Sequence, residues 1–172
     1  MIPTAYGRAD DRLFFHGAAA NRMLRSLASG IDVCITVTLV DGLVMGRSVF
    51  HQSINYRSVV ILGKARAITD PAEKMDALRV LTNHVVPGRW EEARIPNEKE
   101  LAATSVLTLP INEVSAKVRS GPPLDGEEEW DLPVWAGVLP IWMKTGDPIP
   151  DDHVLPGLAA VDKHRFARFS GG

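Results

Sequence analysis

Side chains able to do chemistry fall in three short stretches. Residues 14–24 read FFHGAAANRML, which places His16, Asn21 and Arg22 around a junction where a strand gives way to a helix. Asn55, Tyr56, Arg57 and Ser58 open the most hydrophobic run of the chain. Lys117 and Arg119 close a strand just before an acidic loop. Donors and cations at strand ends suit an anion such as a phosphate, and the small residues 17–20 let a ligand approach backbone N–H groups. An arginine in the first turn of a helix is opposed by the helix dipole, which an intervening anion relieves. Ordinary solvated surface charge accounts for the same residues, and their types alone leave both readings open.

Other chemistries find little support. There is no Walker loop, no GxGxxG and no His-Glu-x-x-His, and His16, His51, His84, His153 and His164 are scattered without metal-ligand spacing, so no metal is expected. The single cysteine, Cys34, excludes an internal disulfide and a cysteine-rich zinc site. Its neighbours Val33 and Ile35 predict buried packing for it.

The elements that must position these groups are mostly strands. Arg12–His16 reads as a strand, and residues 18–28 have helical spacing with Met23, Leu24, Leu27 and Ala28 on one face and Gly30 as a stop. Residues 32–40 alternate, and Asp41-Gly42 then predicts a hairpin turn into a return strand over 43–51. The continuous apolar centre of residues 56–65 predicts a strand buried on both faces. Asp70, Pro71 and Glu73 predict a capping box at the start of a helix striped with Met75, Leu78, Leu81 and Val85 and ended by Pro87-Gly88. A short helix is expected over 97–103 and strands over 106–109, 114–119 and 134–143. The Gly-, Pro- and acid-rich residues 120–129 read as an exposed loop. The pattern predicts a mainly β protein, a small antiparallel barrel with helices outside. Residues 1–145 form the domain, and 146–172 an irregular or wrapping C-terminal extension.

At 172 residues, 45% of them hydrophobic and 23% charged, the chain has the size and balance of one globular domain. A net charge of −2 argues against a nucleic-acid partner. No apolar run suits a membrane span and no signal-peptide pattern is present, so a cytoplasmic location is expected.

The order IPTAYGR, LFFHGAAANRMLRSL, VCITVTLVDGLVMGRSVFHQSINYRSVVILGKA, VPGRW, SAKVRSGPP, LPVWAGVLPI carries a resemblance. In these pieces the sequence resembles the pyridoxamine-5′-phosphate-oxidase-like flavoproteins, the FMN-binding split barrels. Within them it is similar to the flavin-nucleotide-binding, nitroimidazole-reductase-like branch. The resemblance implies a Greek-key split barrel that works as a homodimer with FMN at the interface. It places Phe15 and His16 beside the flavin, His16 as the catalytic residue, and Asn21 and Arg22 at the phosphate. Thr4, Asn55, Tyr56, Arg57, Ser58, Lys117 and Arg119 are implied as further FMN-binding residues, and Trp135 as a contribution from the second subunit. The activity implied is that of an FMN-dependent oxidoreductase on a small molecule, with reduced nicotinamide as electron donor. Three alternatives are a flavin store or sensor without turnover, a haem-binding split barrel with His16 or His51 as axial ligand, and use of a deazaflavin. Two departures stand out. The oxidases' arginine-rich C-terminal motif is replaced by Ala-Gly-Val-Leu-Pro-Ile after Trp135, so pyridoxamine phosphate oxidation is not supported. The usual first helix and strand before the IPT segment are expected to be lacking.

Overall fold

The computed structural model describes residues 2–169. Its backbone clusters into two compact units, Met1–Thr36 with Val60–Ser115, and Val37–Val59 with Ala116–Gly172. Two antiparallel four-stranded sheets and four α-helices make up the regular structure among the described residues.

The first unit holds a sheet in the order β1-β2-β6-β5, formed by β1 (Tyr6–Ala9), β2 (Arg12–Ala18), β5 (Arg66–Ala67) and β6 (Thr104–Pro110). β2 and β6 pair along their whole length, from Arg12 opposite Pro110 to Ala18 opposite Thr104. Leu13, Phe14 and Phe15 are consecutive and all buried, so β2 is covered on both faces at this point. The helix α2 (Pro71–Val85) supplies the largest share of the core: Ala77, Leu78 and Leu81 pack with Phe14, Ile68 and Val106. Truncating a side chain as buried as Leu81 to alanine costs about 2–5 kcal/mol in such a core. Val85, expected on the same stripe, is exposed.

Helix starts follow local hydrogen-bond competition. Asp70 caps α2 by accepting from the Glu73 N–H at 2.8 Å, with Pro71 at the first position. The reciprocal half of the expected box is absent, because the Glu73 carboxylate accepts from Arg12 (3.4 Å) and Arg66 (3.0 Å) instead. A complete box forms at α4 (Glu98–Ala103), where Asn97 and Glu100 exchange side chain-to-backbone bonds of 3.0 and 2.8 Å. Between these lies α3 (Arg89–Glu92). The helix expected from residue 18 begins later: α1 spans Arg22–Ala28, Ala18 still belongs to β2, and Asn21 caps by accepting from the Leu24 N–H at 3.2 Å. A side-chain cap fixes a helix start more firmly than the helical preference of three alanines.

The second sheet has the order β7-β4-β3-β8, with β3 (Asp32–Met45), β4 (Ser53–Lys64), β7 (Glu113–Arg119) and β8 (Gly137–Pro140). The hairpin expected at Asp41-Gly42 does not form. β3 runs straight through it as one 14-residue strand, with Gly42 opposite Pro140. A Cβ at Gly42 would sit 2.9 Å from Val138 Cγ1 and 3.1 Å from the Leu139 carbonyl oxygen. The glycine serves close approach of β8, not a turn. Beyond Met45 the expected return strand is replaced by a 3₁₀ turn, Val49–His51. β8 is shorter than the expected 134–143, since Pro133 and Pro140 lack the N–H that would extend its ladder.

Burial brings three further corrections. β4 is not covered on both faces; Ile61 is buried, but Ile54 and Leu62 are exposed. Cys34 is exposed. The expected exposed loop holds Asp125, whose side chain is only 3% exposed. From Ile141 to Arg165 every residue but Thr145 is exposed. The outermost residues of the expected domain and extension, 1 and 170–172, lie outside the described residues. Among the described residues no helix is long and apolar enough to cross a membrane.

Candidate functional site

In the first unit, His16 projects from β2 as an exposed residue opposite Val106. Phe15 beside it is buried at 3% exposure and lies opposite Tyr6 and Leu107. Gly17 has a packing reason: a Cβ there would meet Leu24 Cδ1 at 2.9 Å, and Leu24 is the buried anchor of α1. The three alanines that follow are exposed. Asn21 spends its side-chain oxygen on the cap, while Arg22 is exposed and makes no hydrogen bond or ion pair among the described residues. Thr4 is exposed ahead of β1.

In the second unit the structure brings Asn55 and Arg119 together. Asn55 is 7% exposed; its Oδ1 accepts from Arg119 Nη1 and its Nδ2 donates to the Gly121 carbonyl at 3.1 Å. Arg57 grips Asp41 with two bonds, 2.9 and 2.7 Å. The Arg57 hydrogen bond holds the Asp41 carboxyl below its ordinary range, and Asp41 in turn raises the arginine. Ser58 Oγ lies 2.8 Å from Thr38 Oγ1. Tyr56 is half-buried and Lys117 exposed. Trp135 is 65% exposed, its ring laid against Gly137, where a Cβ would meet it at 2.8 Å.

Sequence reasoning missed the cluster of Arg47, Asp125 and Glu129 around His51. Asp125 accepts from the Arg47 N–H and from its guanidinium, both at 2.9 Å, and His51 Nε2 lies 3.4 Å from Glu129 Oε2. One ligand atom each from His51, Asp125 and Glu129 fall within 4.8 Å of one another, a donor set able to take a cation. The Arg47 guanidinium already neutralises Asp125 there, which disfavours a second positive charge. Arg47 and Asp125 are 78 residues apart, so no local pattern announces them.

In the first unit, Arg22 is a cation without a partner among the described residues and His16 an exposed imidazole. These types suit the phosphate and the planar ring of a flavin nucleotide. In the second unit, Lys117 and Trp135 are exposed.

The two antiparallel sheets with their helices match the split-barrel class of flavin-binding folds. A family model described as pyridoxamine 5′-phosphate oxidase matches residues 1–118, and the chain belongs to that family. The flavocytochrome Anf3 from Azotobacter vinelandii is 42% identical over 99% of this chain and 78% of its own, with a TM-score of 0.89. An FAD and haem binding protein from Mycobacterium smegmatis is 35% identical over 99% of this chain and 82% of its own, with a TM-score of 0.90. A putative 5-nitroimidazole antibiotic resistance protein from Bacteroides thetaiotaomicron shares the fold, at 22% identity over 67% of this chain and 66% of its own and a TM-score of 0.53. Among curated proteins no significant match is found.

Proposed function

We propose that this chain is a redox flavoprotein that holds a flavin nucleotide together with haem, as a homodimer. One observation carries the reading: two solved relatives, 42% and 35% identical over 99% of the chain, are a flavocytochrome and an FAD and haem binding protein. Bound flavin would supply electron or hydride transfer, and the protein would hold and tune it. Arg22 is assigned to the flavin phosphate, because its guanidinium has no partner within the described residues and a charge-assisted bond to phosphate would satisfy it. His16 is assigned to the flavin ring, and Trp135 to contact with the second subunit. Asn55, Arg57, Ser58 and Arg119 are bonded to their own neighbours within the second unit and hold that part of the fold in place. Phe15, Thr4, Asn21, Tyr56 and Lys117 keep the flavin-binding roles that the family resemblance implies.

FMN is the cofactor implied by that resemblance, whereas FAD appears in the description of the M. smegmatis relative. FAD with haem is the reading favoured here, with reduced nicotinamide as electron donor. Titration with FAD, FMN and haemin, followed by flavin fluorescence and haem absorption, tests it. The expected result is saturable binding of haemin and tighter binding of FAD than of FMN. Binding of FMN alone, with no response to haemin, overturns it.

A further inference from the structure

The second unit is short of a core. Of the large apolar side chains buried among the described residues, it contributes Val44, while the first unit contributes Leu13, Phe14, Phe15, Leu24, Ile61, Leu81 and others. Its sheet leaves Leu39, Leu43 and Leu139 between 40 and 53% exposed, and Leu43 and Leu139 face each other across the β3–β8 ladder.

The segment after Pro140 is also uncovered. Ile149 is 94% exposed, Leu155 68% and Leu158 64%, with Trp142 at 60% and Met143 at 56%. Within the segment, Asp151 takes the N–H groups of His153 and Val154, Leu155 that of Leu158, and Asp147 the Lys163 ammonium. This arm makes its own turns and leaves its apolar side chains without a surface. A solvated linker would be polar instead.

Both uncovered surfaces belong to the second unit: Leu39, Leu43 and Leu139 on its sheet, and Ile149, Leu155 and Leu158 on its arm. An uncovered arm and an uncovered sheet on the same chain are self-complementary, as a two-fold axis requires.

We infer that the occupant is a second copy of this chain: the arm of residues 147–161 crosses to the partner subunit and lays Ile149, Leu155 and Leu158 on the exposed apolar side chains of the partner's second unit, reciprocally. This rests on the homodimer reading above and adds which segment holds the dimer together.

Sedimentation equilibrium of the full-length protein, wild type against Leu155→Asp/Leu158→Asp, tests the exchange. Both residues are exposed in the single chain, so the substitutions leave its own packing intact. The expected result is a wild-type dimer and at least about a hundred-fold weaker self-association in the variant, since two identical apolar contacts per dimer are lost. Amide hydrogen exchange supplies a second readout: residues 149–161 exchange at least ten-fold more slowly in the wild-type dimer than in the dissociated variant. A wild-type protein that stays monomeric overturns both the homodimer reading and the exchange. A variant dimer as tight as wild type, or amides 149–161 unprotected in the wild-type dimer, overturns the exchange alone.

Discussion

Arg22 was legible as a phosphate candidate from its neighbours in the sequence, but the structure changes the reason for its setting. α1 has seven residues and its cap is Asn21, so the small residues before it are not a first helical turn prepared for an anion. Gly17 makes room for Leu24, a tertiary contact that spacing in the sequence does not reveal. What remains is the guanidinium itself, without a partner among the described residues. Arg22→Ala is expected to weaken FAD or FMN about ten- to a hundred-fold while leaving riboflavin unchanged, the usual effect of losing one bond to a charged group. Equal losses for all three flavins, read by fluorescence titration, would remove the phosphate from Arg22. His16→Ala is expected to shift the flavin reduction potential with little change in affinity. An unchanged potential would place the imidazole away from the ring. Arg57, read from sequence as a flavin contact, is bidentate to Asp41, a partner hidden because those two residues were assigned to different structures, a strand start and a hairpin turn.

Elements with a local signature read true. The Asp70 cap of α2, the short helix α4 and the strands around Phe14 and Val106 depend on nearby residues, which sequence displays directly. Asp41-Gly42 misled because a glycine's tolerance of tight turns and its tolerance of close backbone approach look the same in one sequence. The structure separates them: Gly42→Ala is expected to destabilise by about 1–3 kcal/mol through crowding. Val138→Ala in the same chain is expected to recover part of that loss, because it removes the Cγ1 met at 2.9 Å. Additive losses in a denaturant double-mutant cycle would speak against the crowding account. The α4 cap makes a pH prediction. Glu100 is lowered from 4.5 to about 2, first by the Arg94 hydrogen bond and then by the Asn97 N–H. A carboxyl lowered on folding stabilises fully above its unfolded value and loses that contribution as pH falls through the folded one. Exchange of the α4 amides is therefore expected to accelerate between pH 4.5 and about 2 in wild type, relative to Glu100→Gln measured at the same pH. Parallel profiles for the two proteins would contradict it.

At the scale of the molecule, membership of the pyridoxamine 5′-phosphate oxidase family and its split-barrel fold were legible from the order of short motifs. The second unit was harder to read, because its apolar strands look like core in sequence while Leu39, Leu43 and Leu139 are uncovered in the single chain. Hydrophobic pattern reports that a face will be buried and not by what. For the cofactor, the proposal of flavin with haem rests on two relatives that are a flavocytochrome and an FAD and haem binding protein. The absorption spectrum of the protein saturated with FAD and haemin, after unbound cofactor is removed, tests that claim most directly. Flavin bands in the blue together with a Soret band that travels with the protein are predicted. A spectrum showing retained flavin but no Soret band, or neither chromophore, would contradict the account.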